Sequence, residues 1–218
     1  MLIRIVIADF QRYFSYMEPL NKLSEKATLN LNISLMRKVL LPFLVFLTIL
    51  SCKNESSKII YKTKSGEYAS KPGNFIADFP TEPKHSAIDN QIGLDKFQIH
   101  LFRSTLGPNK IFSIEYVDYP KHMITSMSDE QIYNQGVTNY SNKVSESFQL
   151  ESQESIEQHG LNGKYFVLRL NQGAINKGVK GYIEGKLFRK GNRVYTITYL
   201  GHNDKNTDAF MKSFRLMK

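Results

Sequence analysis

GNRVYTITYL, residues 191–200, is the segment that decides the fold class of this chain. Gly191-Asn192 is a dipeptide typical of a two-residue β-hairpin turn. The residues from Arg193 to Leu200 are rich in β-branched and aromatic side chains, which favour a strand. Another strand is predicted before the turn, over about 178–190. We therefore expect two antiparallel neighbours joined by this turn.

Alternating apolar residues predict further strands on the N-terminal side of this hairpin. In NFIADF, residues 74–79, Phe75, Ala77 and Phe79 share one side, and Pro80 and Pro83 end the strand. The connections between the predicted strands are too short for parallel crossovers, so we expect antiparallel pairing. The remaining predicted strands have these approximate bounds: 97–101, 111–119, 148–157 and 164–171.

Two helices are predicted among the strands. Ser128 and Gln131 form a capping-box pattern, and an apolar stripe at helical spacing continues from there to about Ser145. Near the C-terminus, Asn203 or Asp204 provides an N-cap for a helix that carries Phe210 and Phe214 four positions apart. These elements predict an α+β domain: an antiparallel sheet of about six to eight strands with helices packed against it.

The order of the motifs resembles the PsbP-like fold superfamily, which occurs in many bacterial lipoproteins of unknown function. The resemblance implies a PsbP-like sandwich of sheet and helices, and proteins that work by binding partners rather than by chemistry. It transfers no specific activity, because one fold supports many functions. The segments that carry it are NFIADFPTEP (74–83), YVDYP (116–120), HGLNGK (159–164), RKGNRVY (189–195) and FMKSF (210–214).

The segment MRKVLLPFLVFLTILSC, residues 36–52, indicates a lipoprotein signal peptide. Two cations precede an apolar run, and small Ser51 stands directly before Cys52, where a signal peptidase requires a short side chain. Twelve apolar residues at helical rise cover roughly 18 Å, which is less than the hydrocarbon core of about 30 Å. The end of the segment resembles a lipobox, and the resemblance implies cleavage between Ser51 and Cys52.

Cys52 is the only cysteine of the 218 residues, so the chain cannot form an internal disulfide. Its position directly after the apolar run predicts that it is the lipidated residue. In lipoproteins the thiol carries a diacylglyceryl group and the new amino terminus is acylated. About two acyl chains are needed for stable anchoring. We therefore expect a protein anchored to a membrane through Cys52.

The chain divides into four predicted segments. Residues 1–35 are either an over-long gene prediction, with translation starting at Met36, or a genuinely extended leader, and we favour the first. Residues 36–51 are the signal peptide, residues 52–73 a flexible polar tether, and residues 74–218 the α+β domain.

The charge pattern bears on partners and location. Six of the 29 Lys and Arg residues and three of the 20 Asp and Glu residues precede Cys52, which leaves residues 52–218 with a net charge of +6. A basic surface is typical of nucleic-acid binding, but an envelope lipoprotein does not meet nucleic acid, so we expect none as a partner. Lys53 replaces the aspartate that retains lipoproteins in the inner membrane, which favours the outer membrane.

Sequence motifs for chemistry are weak in this chain. None of the five histidines lies at metal-ligand spacing from another His, Cys or carboxylate, and His100 is expected on the surface. Glu115 and Asp118 should lie on opposite sides of one strand, each solvated or paired with lysine. We predict no catalytic residue, no metal site and no cofactor. Four tyrosines near turns or strand ends are candidate partner contacts: Tyr61, Tyr68, Tyr119 and Tyr182.

Two classes of function stay open. The first is a non-enzymatic, lipid-anchored binding or assembly module of the cell envelope, whose partner is an envelope protein or another envelope component. The alternative is a small-molecule binder or hydrolase that uses a cleft beside the sheet. A shallow surface with aromatic side chains favours the first, and a pocket with several convergent polar groups favours the second.

Replacement of Cys52 by Ala tests the anchor. We expect the Cys52→Ala protein to remain an unprocessed precursor or to leave the membrane on detergent-free extraction, because the acyl chains are lost. Detergent partitioning and gel mobility measure both effects. A Cys52→Ala protein that partitions into detergent at the mature size would contradict the lipoprotein interpretation.

Overall fold

The computed structural model describes residues 59–202 and 204–218. Eleven strands, all paired antiparallel, lie within these ranges. Their bounds are β1 Tyr61–Lys62, β2 Tyr68–Ser70, β3 Phe75–Ala77, β4 Lys84–Ile92, β5 Asp95–Thr105, β6 Ile111–Asp118, β7 Phe148–Gln158, β8 Leu161–Leu170, β9 Tyr182–Lys190, β10 Arg193–Gly201 and β11 Arg215–Leu216.

The strands form two sheets. The large sheet has seven strands in the order β4-β5-β6-β10-β9-β8-β7, and the small sheet has four in the order β1-β2-β3-β11. The predicted hairpin at Gly191-Asn192 joins β9 to β10 at the centre of the large sheet, where Arg193 pairs with Lys190. Gly191 has φ 64°, a left-handed conformation that glycine adopts at no steric cost. The predicted α+β class with an antiparallel sheet of six to eight strands is confirmed.

Four helices lie in the described part of the chain: α1 Lys121–Ile124, α2 Asp129–Lys143, α3 Gln172–Asn176 and α4 Lys205–Ser213. The capping box predicted for α2 is present, since the Ser128 hydroxyl accepts from the backbone N–H of Gln131 and the Gln131 side chain accepts from that of Ser128. Asp204 caps α4, accepting from the backbone N–H groups of Asn206 and Thr207. Both helix starts therefore follow from local capping chemistry.

The large sheet has an apolar core on each side. On the side that we name the sandwich side, β3 and α4 pack against the centre of the sheet. Phe75 contacts Phe102 with ring centroids 5.0 Å apart, and Phe210 contacts Phe112 at 5.3 Å. On the other side, which we name the helix side, α2 packs over β7, β8 and β9 through the following buried residues: Ile132, Tyr133, Val137, Phe166, Leu168, Ile183 and Leu187.

The structure differs from the sequence prediction at several elements. Strand β4 was not predicted, because its residues are mostly exposed and lack apolar alternation. Strands β1 and β2 fall in the segment assigned to a flexible tether, so the part of that segment from Tyr61 to Ser70 carries strands rather than a free linker. Helix α3 precedes β9, which begins at Tyr182 and not at about Gly178. Residues 1–58 lie outside the described residues, and with them the predicted signal peptide and Cys52.

Truncation of the buried face of β6 tests the core. Phe112 and Ile114 are fully buried, so Phe112→Ala and Ile114→Ala should each lower the free energy of unfolding by about 2–5 kcal/mol. Denaturant unfolding measures the loss. Ile175→Ala is the matched control, because Ile175 is 49% exposed and should lose less than about 1 kcal/mol. Equal small losses for Ile114→Ala and Ile175→Ala would contradict the described core.

Candidate ligand-binding face

The sandwich side of the large sheet is only partly covered. The small sheet and α4 pack over β5, β6 and β10. Farther along the sheet, on β9, β8 and β7, the side chains of the sandwich side are largely polar and half-buried or exposed, apart from the buried Phe188 and Val167. We name this surface the open face and define it by Ser152, Glu154, Tyr165, Arg169, Tyr182, Glu184 and Lys186.

Strand register brings the members of the open face together. Lys186 lies opposite Tyr165, and Tyr182 lies opposite Arg169, in the pairing of β9 with β8. Opposed residues of an antiparallel pair project from the same side with Cβ atoms about 4.5–5.5 Å apart. The guanidinium carbon of Arg169 lies 4.7 Å from the centroid of the Tyr182 ring, and its Nε donates to Glu151 at 2.8 Å. The open face thus combines aromatic rings with charges of both signs.

Glu184 is the carboxylate at the centre of the open face. Burial raises its pKa, while hydrogen bonding from the Tyr165 and Tyr182 hydroxyls and the charge of Lys186 act in the opposite direction. The pKa of Tyr165 is raised by burial and by Glu184, and the same two causes raise the pKa of Tyr182 to about 12. Both phenols are therefore neutral at physiological pH and can donate hydrogen bonds.

Lys186 connects the open face to α4. Its Nζ donates to Gln158 Oε1 at 2.7 Å and to the backbone carbonyl of Met211 at 2.9 Å. Burial lowers the pKa of Lys186, and the nearby charge of Glu184 opposes this shift. Two of the three N–H donors of Lys186 are already used within the protein. Lys186 therefore mainly positions the edge of α4 and does not present a free ammonium group.

These groups are hydrogen-bonding groups that share one surface. The open face offers phenolic donors, a carboxylate acceptor and the ring of Tyr182, which together match a ligand with hydroxyl, amide or amino groups. Tyr165, Glu184 and Lys186 were not among the predicted site residues. A signal was available in the segment YIEGKL, residues 182–187, where polar and apolar residues alternate and indicate one polar side.

The four tyrosines predicted as partner contacts are all half-buried and lie in different places. Tyr182 belongs to the open face. Tyr68 packs on Phe79 in the small sheet, with centroids 6.5 Å apart, and Tyr61 lies in the same sheet. Tyr119 packs on Phe97 at 5.4 Å, beside the β4–β5 hairpin. The structure therefore does not bring them together into one site. Ser51 and Cys52 lie outside the described residues.

The histidines are less isolated than expected. His85 Nε2 lies 3.2 Å from His100 Nδ1, and the His100 ring stacks on Tyr116 with centroids 4.5 Å apart. His100 faces away from Ile99 and Leu101 as expected but is half-buried, and β4 places His85 beside it on the same side of the sheet, a pairing that sequence spacing did not indicate. Burial lowers the pKa of both rings, so both are neutral at physiological pH.

One more histidine forms a contact that the sequence did not predict. His122 Nε2 lies 2.9 Å from Asp95 Oδ2, beside the turn of the β4–β5 hairpin. Over the described ranges, 59–202 and 204–218, no group of three or more His, Cys, Asp or Glu side chains is arranged to hold a metal ion. In those same ranges, no helix has the length and apolar character needed to cross a membrane.

Glu115 and Asp118 lie on opposite sides of β6, as predicted. Asp118 is paired with Arg193, through Oδ1 to Nε at 2.7 Å, rather than with a lysine. Glu115 projects to the helix side and is half-buried rather than solvated, and Lys143 is close enough for its charge to act on the carboxyl group. Burial raises its pKa, and the charge of Lys143 partly opposes this. Tyr119 is close enough for Glu115 to raise its pKa in turn.

Replacement of Tyr165 by Phe tests the electrostatics of the open face. The Tyr165 hydroxyl lowers the pKa of Glu184 against the larger effect of burial, so Tyr165→Phe should raise that pKa further. The pKa of Glu184 in the folded state lies above its value in the unfolded state. The free energy of unfolding therefore falls as the pH rises from the unfolded-state pKa to the folded-state pKa, and this fall should be larger in Tyr165→Phe.

A carbon-detected NMR titration of the glutamate side chains measures this pKa. Tyr61→Phe is the matched control, because Tyr61 lies in the small sheet and is not among the causes of the Glu184 shift. An unchanged or lower pKa of Glu184 in Tyr165→Phe would contradict the described arrangement.

Comparison with known proteins gives a limited result. No protein-family model and no curated protein matches the chain. Among solved structures, it is similar to the solution structure of cyanobacterial PsbP (CyanoP) from Synechocystis sp. PCC 6803, with 13% sequence identity and a TM-score of 0.48. The match covers 69% of this chain and 91% of that chain.

Proposed function

We propose that this protein is a lipid-anchored binding or assembly module of the bacterial cell envelope, and that it catalyses no reaction. The observation that carries the proposal is the open face, where a surface of the large sheet is left without a covering layer and is lined by tyrosines and charges of both signs. The anchor in this proposal is the lipid on Cys52, with the outer membrane as the favoured location.

The chemistry of the open face supports binding. Tyr165 and Tyr182 stay protonated, Glu184 is shared between their hydroxyls, and Lys186 is held by Gln158 and Met211. A nucleophile needs an adjacent base or a pKa lowered towards neutrality, whereas burial moves both tyrosine pKa values upward. Hydrogen-bond donors and acceptors fixed by a sheet are instead suited to recognising a polar partner.

A membrane anchor allows a binding surface of low affinity to be occupied. A domain held at a membrane by a short tether meets neighbouring envelope components at a high effective concentration, so affinity can be low and binding still complete. The net charge of +6 for residues 52–218 favours a location near anionic head groups. The resemblance of the motifs to the PsbP-like superfamily supports the proposal by analogy only.

The alternative is a small-molecule binder or hydrolase that works on the helix side of the sheet. Glu115 favours it, because this half-buried carboxyl group has a raised pKa and lies near Tyr119. A carboxyl group with a raised pKa is a typical general acid or base. Turnover of an envelope ester or glycoside that is abolished by Glu115→Gln would support this alternative and contradict the main proposal.

Site-specific photo-crosslinking in native cells tests the binding proposal. A benzophenone side chain replaces Ser152, which is exposed on β7 within the open face. We expect irradiation to produce one defined adduct, and we expect the adduct to fall several-fold when Glu184→Gln is added, because the negative charge is lost and one acceptor oxygen is replaced by an NH₂ donor. The matched control carries the same group at Thr138, which is exposed on α2, on the opposite side of the sheet.

The possible results of the cross-linking experiment distinguish specific binding from random collision. An adduct at position 152 that depends on Glu184, without one at position 138, supports the open face as the binding surface. Adducts of equal yield at both positions indicate random collision at the membrane and contradict the proposal. The absence of any adduct at position 152 contradicts it too, provided that the variant is processed and reaches the membrane.

A further inference from the structure

The β4–β5 hairpin extends beyond the rest of the large sheet. Residues 95–98 of β5 pair with β4, and the pairing of β5 with β6 begins only at Ile99. Four residues of strand cover roughly 13 Å. The hairpin is therefore a projection of the sheet, and it lies at the end of the sheet where β6 ends and β10 begins.

The tip of this projection is apolar. Leu94 is 97% exposed and Ile92 is 51% exposed. They flank Gly93, whose φ of 62° suits the first central position of a tight hairpin turn. An almost fully exposed leucine at a loop tip contributes nothing to the core of this domain, so its apolar surface is available to something outside it.

Contacts with neighbouring segments hold the projection along its length as far as Asp95, which pairs with Ile92 beside the turn. Phe97 packs on Tyr119, Asp95 pairs with His122, and the Gln98 amide donates to Asp89 across the two strands at 2.9 Å. These contacts fix the direction in which the tip points. A rigid support lowers the entropy that an apolar tip loses on binding.

The folded domain begins at the same end of the sheet. Arg193 at the start of β10 donates to the carbonyl of Pro72 at 2.7 Å, which places the β2–β3 turn at this end. The ammonium group of Lys71, in the same turn, lies 6.0 Å from the Tyr61 ring, and Tyr61 pairs with Ala69. The first described residues therefore lie at the end of the sheet from which the hairpin projects, and we name this end the tether end.

Exposed apolar residues and lysines gather at the tether end. Ile59, just before β1, is 42% exposed, and Ile92 and Leu94 at the hairpin tip are 51% and 97% exposed. Two acidic residues of this end are neutralised in ion pairs, Asp118 with Arg193 and Asp129 with Arg189, and Asp95 lies 2.9 Å from His122. The exposed lysines of the tether end are Lys71, Lys96, Lys121 and Lys190.

We propose that the tip of the β4–β5 hairpin, Ile92 to Leu94, is a second membrane contact that inserts into the interface of the bilayer carrying the Cys52 lipid. This inference rests on the lipid anchor of the proposed function. The occupant of the tip is a phospholipid surface with anionic head groups, because apolar residues next to lysines match the interface of such a bilayer.

The length of the connecting chain makes this contact reachable. Ile59 is seven residues after Cys52, and seven residues span at most about 25 Å when fully extended. The tether end must then stay within about that distance of the lipidated residue. Because the hairpin tip lies on this end, it can reach the head groups without strain in the tether.

Tryptophan fluorescence tests the contact directly, because the chain contains no native Trp. The lipidated full-length product of Leu94→Trp is reconstituted into vesicles of phosphatidylethanolamine and phosphatidylglycerol, with and without bromine on the acyl chains. We expect the emission of Trp at position 94 to shift to the blue and to be quenched by the brominated lipid. Leu150→Trp is the matched control, since Leu150 is 40% exposed near the opposite end of the sheet, and it should show neither effect.

Each result has one meaning. A protein that fails to associate with the vesicles shows that the Cys52 anchor, and with it the proposed function, is wrong. A protein that associates but leaves the residue at position 94 unquenched overturns the hairpin contact alone. Quenching of equal degree at positions 94 and 150 also overturns it. A blue shift at position 94 that needs added envelope protein and not lipid assigns the tip to a protein partner and overturns the proposal.

Discussion

The aromatic layer between the two sheets is the constraint on which the rest of this structure depends. Phe75 from the small sheet and Phe214 from the end of α4 lie against Phe102 and Phe188 of the large sheet, with Phe188 stacked on Phe214 at 5.6 Å. These rings come from distant parts of the chain. Burying them therefore fixes β3, α4 and β11 on the large sheet in a single step, and the hydrophobic effect supplies the driving force.

The small sheet and α4 are too narrow to cover all seven strands. Their rings end near β9, so the sandwich side of β8 and β7 meets solvent, and its residues are polar for that reason. Three exposed glutamates on β7, Glu151, Glu154 and Glu157, also protect an edge strand against pairing with other chains. A surface that must be polar to keep the protein soluble is thus available for recognition. The limited width of the small sheet and α4 is therefore enough to account for the open face.

Alternation predicted the central strands well, because β6 and β10 bury one set of side chains that the sequence shows directly. It failed for β4, whose sequence KHSAIDNQI has no apolar side, since an edge strand with both sides exposed needs none. The pair His85 and His100 was lost with it, because only the register of β4 with β5 brings these rings together. The open face was not predicted for a related reason. Tyr165 and Glu184 become neighbours through the pairing of β8 with β9, and they stay accessible because the sheet is incompletely covered there. The local sequence shows neither the strand pairing nor the incomplete cover.

The two proposed contacts use different parts of one sheet, and this has a geometric consequence. The tether end and the hairpin tip both lie where β5 begins and β6 ends, whereas the open face lies along the sides of β7, β8 and β9. With the tether end held at a bilayer, strands that run away from that end stand up from the surface. The open face then looks sideways across the membrane rather than into it. A ligand would reach it from the plane of neighbouring envelope components, and a fixed hairpin tip would keep it turned in that direction.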